Sequence, residues 1–278
     1  MQLQQWLLYL LSNEKERDDC DLSKKKLPFN VKSSIICEQG QGRQVNQDMC
    51  YKQTAAVKGD IKAVYAVADG IGSFASSQTA SAIVKDILEE WFQSALESGR
   101  LDESPDDLSQ DVIENVYYRA YDEIVSEARK NHCHMGTTLS MIVVTNMSYH
   151  LFHVGDSRIY LYACDDSGES ELVRLTNDDK KVDQRDGRSK LVNAIADQLP
   201  KPKVAYATEE LYDGDMYLLM TDGGYKRNAD NQMHQILDRA YVSDKPCANA
   251  NNELYQHALQ NGETDDITIL TVLFEEIE

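Results

Sequence analysis

The chain has 278 residues, of which 42% are hydrophobic and 27% charged, and this composition is typical of a globular protein with a sizeable core. Its formal net charge of −19 argues against a nucleic-acid or anionic-membrane partner, because phosphate groups are bound through clustered Lys and Arg side chains. The six cysteines are scattered and include no CxxC pair, so we expect reduced thiols and a cytoplasmic location.

The N-terminal segment, MQLQQWLLYLL, places Leu3, Trp6 and Leu10 on one helical face. Its apolar run is shorter than the roughly 18–20 residues of a membrane span, and no basic flank marks a signal peptide. We therefore predict that residues 1–30 form a helical appendage and linker, which either packs on the main body or docks a partner. The domain that carries the chemistry is expected over residues 31–278.

The first half of the chain predicts three strands and then two helices. The strands are expected at residues 32–38, 49–57 and 61–69. In the first helix, over residues 76–98, Ile87 and Trp91 repeat on one face, and Gly99 stands where a left-handed residue often ends a helix. The second helix is predicted over residues 108–130.

The second half returns mainly to strands. These are expected at residues 137–145, 149–155, 158–164, 171–175, 215–221 and 267–274, with helical patterns near 231–241 and 247–260. Strands cluster, helices cluster, and short connections such as TNMSY (145–149) suit antiparallel hairpins. The sequence therefore predicts an α+β fold rather than alternating βαβ units.

Several aspartates stand at the ends of predicted strands, next to glycine or to another acid. They are Asp48, Asp69, Asp156, Asp222, Asp265 and Asp266. Each one alone is explained by turn formation, since Asp bonds the backbone of turns. If the strand ends meet, however, the carboxylates repel one another unless protons or cations intervene. Carboxylate oxygens are hard ligands that suit Mg²⁺ or Mn²⁺.

An acidic cluster with room for two such ions is typical of enzymes that direct water in line onto phosphorus. Arg43, shortly before Asp48, is a candidate phosphate ligand, because guanidinium binds phosphate through two parallel hydrogen bonds. An ordinary surface arginine is the alternative at this spacing. The segment His132-Cys133-His134 is not expected to bind metal, since alternate residues of an extended segment face opposite ways.

Seven motifs, taken in chain order, resemble those of the metal-dependent protein phosphatase 2C family of Ser/Thr phosphatases, in particular its compact bacterial members. They are GRQVNQD (42–48), VADGIGS (67–73), GTTLS (136–140), HVGDSRIYLY (153–162), RLTNDD (174–179), GDMYLLMTDGG (214–224) and TDDITIL (264–270). The resemblance implies an αββα sandwich, in which two stacked antiparallel β-sheets are flanked by helices on both sides.

The resemblance also implies a set of metal ligands. Asp69 corresponds to the aspartate that bridges two Mn²⁺ or Mg²⁺ ions, and Gly70 to the glycine whose carbonyl binds one of them. Asp222 and Asp265 correspond to the acids that complete the second ion. Asp48 corresponds to an acid that holds metal-bound water.

Two more positions complete the implied site. Arg43 corresponds to the arginine that holds the substrate phosphoryl group, and Asp156 to the acid of a third, weaker metal site. The implied reaction is direct attack on phosphoserine or phosphothreonine by a water that the two ions activate, with no phosphoenzyme. Ile71 stands where some members have a proposed general acid histidine, so no general acid is assigned.

Some positions depart from the commonest pattern of the family. Gln47 stands where many members have an acid, Asp179 replaces a His, and Asp266 replaces an Asn. The last two replacements put the local hydrogen bonding in question rather than the metal binding. Residues 180–205, where relatives carry a flap, match no motif clearly.

The expected partners are phosphorylated proteins, the substrates of a Ser/Thr kinase. Three other interpretations stay open on the sequence. The first is a catalytically weak phosphatase-like module that binds without turnover. The second is a phosphatase of small phosphorylated metabolites. The third is an acidic domain that binds cations for structural reasons.

Overall fold

The computed structural model of the protein describes residues 29–57, 60–71, 76–145, 147–165, 167–183, 187 and 189–277. The predicted N-terminal helix, and with it the predicted docking of a partner, lies outside these residues. No helix in the described ranges has the length and apolar character needed to cross a membrane. The described cysteines, Cys37, Cys50, Cys133, Cys164 and Cys247, are free thiols.

Two antiparallel five-stranded sheets form the centre of the described part of the chain. In spatial order the first sheet contains β1 (Phe29–Glu38), β14 (Ile267–Glu276), β13 (Met216–Met220), β7 (Arg158–Cys164) and β8 (Ser170–Arg174). The second contains β12 (Ala205–Glu210), β6 (Ser148–Val154), β5 (Leu139–Thr145), β3 (Asp60–Asp69) and β2 (Asp48–Val57).

Helices cover the outer face of each sheet. The second sheet packs against α1 (Ser77–Ser98), α2 (Pro105–Val112) and α3 (Arg119–Asn131). The first sheet packs against α4 (Asp222–Tyr225), α5 (Asp230–Tyr241) and α6 (Pro246–Gln260). A third apolar cluster fills the space between the sheets, with Tyr65 and Ile142 from one sheet and Leu219 and Leu270 from the other. The expected αββα sandwich is confirmed.

The helix ends follow their local sequence. Gly99 adopts φ 76° after α1, as its position predicted. The second helix begins earlier than predicted, because the Ser104 side chain accepts the Asp107 N–H and Pro105 occupies the first turn. A π-helical turn, Ile113–Tyr118, joins α2 to α3, and a short 3₁₀ turn, Arg100–Asp102, follows α1.

Two small strand pairs lie beside the main sheets in the described residues. One joins β4 (Gly136–Thr137) to β11 (Ile195–Ala196), and the other joins β9 (Lys180–Val182) to β10 (Ser189–Leu191). The second pair lies within residues 180–205, which match no motif of the family clearly. Its first residue, Lys180, lies next to the strand-end acid Asp156.

Candidate metal centre

Asp48 and Asp69 lie directly opposite each other, where β2 begins and β3 ends. The two strands are antiparallel, so the first residue of one pairs with the last residue of the other. Thr221, at the end of β13 in the facing sheet, donates a hydrogen bond from its hydroxyl to Asp48 Oδ2 over 2.7 Å. The acidic edge of one sheet is thus joined to the edge of the other.

Asp222 follows Thr221 and begins the short helix α4. The next residue, Gly223, lies so close to the loop before β14 that an added Cβ would stand 2.1 Å from the Asp266 carbonyl oxygen. Glycine is therefore required for α4 to approach the loop that carries the last two acids. One helical turn later, Lys226 Nζ lies 2.5 Å from Asp222 Oδ2.

Asp265 and Asp266 have different partners although they are adjacent. The Asp265 carboxylate pairs with the Arg43 guanidinium. The Asp266 carboxylate accepts two backbone hydrogen bonds, from Gly40 N–H to Oδ1 and from Gln47 N–H to Oδ2, each over 2.8 Å. Gln47 in turn accepts a hydrogen bond from Arg43 over 3.0 Å. The loop that carries Arg43 is thereby fixed beside the acids.

Asp156 lies in the turn between β6 and β7, and 4% of its side chain is exposed. Its carboxylate pairs with Lys180, the first residue of β9. The Tyr225 hydroxyl donates a hydrogen bond over 2.9 Å to the Asp156 carbonyl, which ties this turn to α4 and so to Asp222.

Burial and the repulsion of neighbouring acids raise the pKa values of Asp48, Asp69 and Asp222. Burial raises the pKa of Asp69 well above its usual value, and the charges of Asp48, Asp222, Asp156 and Asp265 raise it further. Burial also raises the pKa of Asp48 and of Asp222, and Lys226 offsets part of the shift at Asp222. Four of the acids predicted from the strand ends, Asp48, Asp222, Asp156 and Asp265, therefore lie close enough to Asp69 to repel its charge, and cations relieve such repulsion.

Basic side chains supply part of the opposing charge in this structure. Arg43 pairs with Asp265, Lys180 with Asp156, and Lys226 with Asp222. In this arrangement, no group of three acidic, His or Cys side chains among the described residues is close enough to hold one metal ion.

The donor set nevertheless fits hard divalent cations, since every converging group is a carboxylate. Gly70 supports this fit, because its backbone approaches the neighbouring strand closely. An added Cβ at Gly70 would stand 2.7 Å from the Gln47 carbonyl oxygen. This position therefore admits only glycine and leaves the backbone itself at the acidic cluster.

The departures from the family pattern have structural explanations. Asp179 accepts hydrogen bonds from Gly155 N–H (2.9 Å) and from Asn193 Nδ2 (2.7 Å), so it fastens the turn that bears Asp156. Ile71 places no ionisable group at the site, and its N–H donates to the Gly136 carbonyl over 3.0 Å.

Sequence reasoning missed three residues at this site: Thr221, Lys180 and Lys226. Lys226 follows Asp222 by four residues, a spacing that pairs opposite charges on a helix and could have been recognised. Thr221 and Lys180 carry no local signal, because their partners lie far away in the sequence.

The family model described as protein phosphatase 2C matches residues 39–259 of this chain. Among curated proteins, the serine/threonine protein phosphatase PstP of Mycobacterium tuberculosis is 26% identical over 250 residues, which cover 84% of this chain and 43% of PstP. The protein phosphatase PhpP of Streptococcus pneumoniae is 25% identical over 265 residues, which cover 87% of this chain and 97% of PhpP.

Solved structures share the fold at low sequence identity. The catalytic domain of PstP in complex with two manganese ions is 23% identical, with a TM-score of 0.67, and the match covers 89% of this chain and all of that domain. The serine/threonine phosphatase of S. agalactiae is 19% identical, with a TM-score of 0.69, and the match covers 87% of this chain and 99% of that one.

Proposed function

The chain belongs to the protein phosphatase 2C family, and we propose that it is a metal-dependent protein serine/threonine phosphatase. The observation that carries the proposal is the convergence of four aspartates on Asp69, with Arg43 at the rim of the cluster. PstP and PhpP are both named protein phosphatases, which supports the same reaction here.

We assign two Mn²⁺ or Mg²⁺ ions to Asp69, Asp222, Asp265 and the Gly70 carbonyl, and we assign to Asp48 the orientation of the attacking water. The two manganese ions in the PstP structure support this number. Ions of this kind lower the pKa of water and neutralise charge on phosphoryl oxygens. Asp48 is itself oriented by the hydroxyl of Thr221 (2.7 Å).

Arg43 is the residue that we assign to the substrate phosphate. Its side chain is 32% exposed, and it is held at the rim by Gln47 and Asp265. A cation held by Asp265 would replace Arg43 as its partner, and the forked donors of the guanidinium would then be available to two phosphoryl oxygens. Arg43 thus positions phosphorus for attack from the side of Asp48.

The substrates that we propose are proteins phosphorylated on serine or threonine by a kinase, and the location that we propose is the cytoplasm. The free thiols of the described cysteines agree with a reducing compartment. Docking of a partner through the N-terminal segment stays a prediction.

The Asp222→Ala variant tests the assignment. We expect Mn²⁺-dependent hydrolysis of para-nitrophenyl phosphate and of a phosphothreonine peptide to fall roughly a thousandfold, as for the loss of one preorganised electrostatic group. Asp244→Ala, an exposed aspartate between α5 and α6, serves as the control and should keep full activity. Retained activity in Asp222→Ala overturns the proposal, and a preference for small phosphorylated metabolites over the peptide overturns the substrate class.

A further inference from the structure

The Asp156 carboxylate lies in a place that water hardly reaches. Its side chain is 4% exposed, and the ammonium group that pairs with it belongs to Lys180, which is 26% exposed. A carboxylate buried to this degree is costly unless an opposite charge lies against it. Lys180 therefore offsets the cost of burying the Asp156 carboxylate.

The backbone on either side of this pair is joined, so the contact does not depend only on the flexible lysine stem. Asp179, which precedes Lys180, donates its N–H to the Gly155 carbonyl over 2.7 Å. Gly155, which precedes Asp156, donates its N–H to Asp179 Oδ2 over 2.9 Å. These reciprocal hydrogen bonds hold the two neighbours, and with them Asp156 and Lys180, side by side.

A second ion pair connects the same two segments in the opposite sense. Arg158 donates two hydrogen bonds to Asp178, over 2.9 Å and 2.8 Å. Asp156 in the turn before β7 is followed by Arg158 at the start of β7, and Asp178 in the loop before β9 is followed by Lys180 at the start of β9. The two pairs cross-link these segments, which shows that the position of Lys180 is part of the fold.

The two other acids that pair with a base are less enclosed. Asp222 is 14% exposed and pairs with Lys226, which is 43% exposed, while Asp265 is 29% exposed and pairs with Arg43. At both places water can solvate the basic side chain when the acid exchanges it for another partner. At Asp156 the acid itself is 4% exposed, so water has much less access to this pair.

We propose that Lys180 supplies at Asp156 the positive charge that a third metal ion would supply, so that this protein binds two metal ions and excludes the third. The inference rests on the proposed metal-dependent function, but it concerns only the number of ions. The inference also assigns a role to the β9–β10 strand pair, because its first residue, Lys180, places a positive charge beside Asp156.

Counting bound manganese tests the inference without an activity assay. The folded protein is dialysed against millimolar Mn²⁺, and the metal per chain is measured by mass spectrometry. We expect two ions in the unchanged protein, three in Lys180→Met, and two again in Lys180→Met combined with Asp156→Asn. Lys181→Met, which removes the exposed neighbouring lysine of the same strand, should leave the count at two.

The outcomes separate this inference from the proposed function. A count of three in the unchanged protein that falls to two in Asp156→Asn overturns the inference, and this test does not need the Lys180 variant to fold. A count of two in folded Lys180→Met, verified by circular dichroism, also overturns it. A protein that binds no manganese overturns the proposed function and the inference with it.

Discussion

Asp266 fixes the backbone of Gln47, because its Oδ2 accepts the Gln47 N–H over 2.8 Å while its Oδ1 accepts the Gly40 N–H over the same distance. Arg43 lies between these two anchored positions. The Asp266 carboxylate therefore fixes both ends of the loop that carries Arg43. The residue before it, Asp265, is the acid that pairs with Arg43. The position of the proposed phosphate ligand is set by the residue that follows a proposed metal ligand.

We expect Asp266→Ala to lower the free energy of unfolding by about 2–4 kcal/mol, because two backbone N–H groups lose a charged acceptor. We also expect KM for a phosphopeptide to rise, since Arg43 loses its fixed position. Urea denaturation measures the first effect, and steady-state kinetics at saturating Mn²⁺ measures the second.

Asp165→Ala is the matched control for this variant. Asp165 also accepts two backbone hydrogen bonds, from Ser167 N–H and Glu169 N–H, each over 2.9 Å, but it does so in an exposed turn. Its loss should leave KM unchanged. If both variants lose stability and neither changes KM, the Asp266 carboxylate has no part in positioning Arg43.

Asp69→Asn should have opposite effects with and without metal. Without metal, the change removes a carboxyl whose ionised form is disfavoured by burial and by four other acids, so we expect the free energy of unfolding to rise by about 1–2 kcal/mol. With Mn²⁺, we expect the metal-induced rise in melting temperature and the phosphatase activity to disappear. A scan of melting temperature against Mn²⁺ concentration measures both effects, and an unchanged response to Mn²⁺ would remove Asp69 from the metal centre.

Arg43→Lys should lower kcat/KM by about 10–100-fold, chiefly through KM, because lysine keeps the charge but lacks the forked donors that bind two oxygens. Arg119→Lys provides the control, since Arg119 pairs with Glu90 and Glu123 on the outer helices, away from the acids. Equal kinetics in the two variants would contradict the assignment of Arg43 to the substrate phosphate.

Asp215 should make the stability depend on pH. Burial raises its pKa from the usual 3.8 to about 6, so folding favours the protonated form. The stability that folding gains by binding this proton is fully present below the unfolded pKa and is lost as the pH rises through about 6. Between pH 4 and pH 7 we expect the unfolding free energy of the unchanged protein to fall by about 2–3 kcal/mol relative to that of Asp215→Asn.

The Asn variant is a suitable reference for Asp215. One oxygen of the carboxylate, Oδ2, accepts hydrogen bonds from Tyr212 N–H (3.0 Å) and from the Tyr217 hydroxyl (3.1 Å), and an amide oxygen can accept both. Comparing the two proteins pairwise cancels the titration of the metal-centre acids, which both retain. A difference that does not change with pH would show that Asp215 is ionised throughout this range.

The fold could be predicted from the sequence where the signal was local. Short apolar, β-type runs located the main strands, Gly99 marked the end of α1, and Asp69 and Asp222 were recognised because each follows a buried strand. The convergence of these acids followed from one assumption, that the ends of those strands meet.

The rest depends on contacts between distant segments. The pairing of Lys180 with Asp156 joins the start of β9 to a distant turn with which it shares no periodic pattern. The two hydrogen bonds of Asp266 reach a loop at the opposite end of the domain sequence. The π-helical turn at Ile113–Tyr118 also lies within a segment whose apolar spacing is that of an ordinary helix. Tertiary contacts decide such features, and spacing alone does not encode them.

The direct pairing of Asp48 with Asp69 has a consequence for how the length of this chain can change. Because successive side chains of a strand point to opposite faces, deleting or inserting one residue inside β2 or β3 would turn one of the two acids away from the cluster. The connection between Val57 and Asp60 lies at the far end of this hairpin, where a change in length leaves the pairing intact. Insertions and deletions in related or engineered chains should therefore be tolerated between Val57 and Asp60 and be eliminated within the strands.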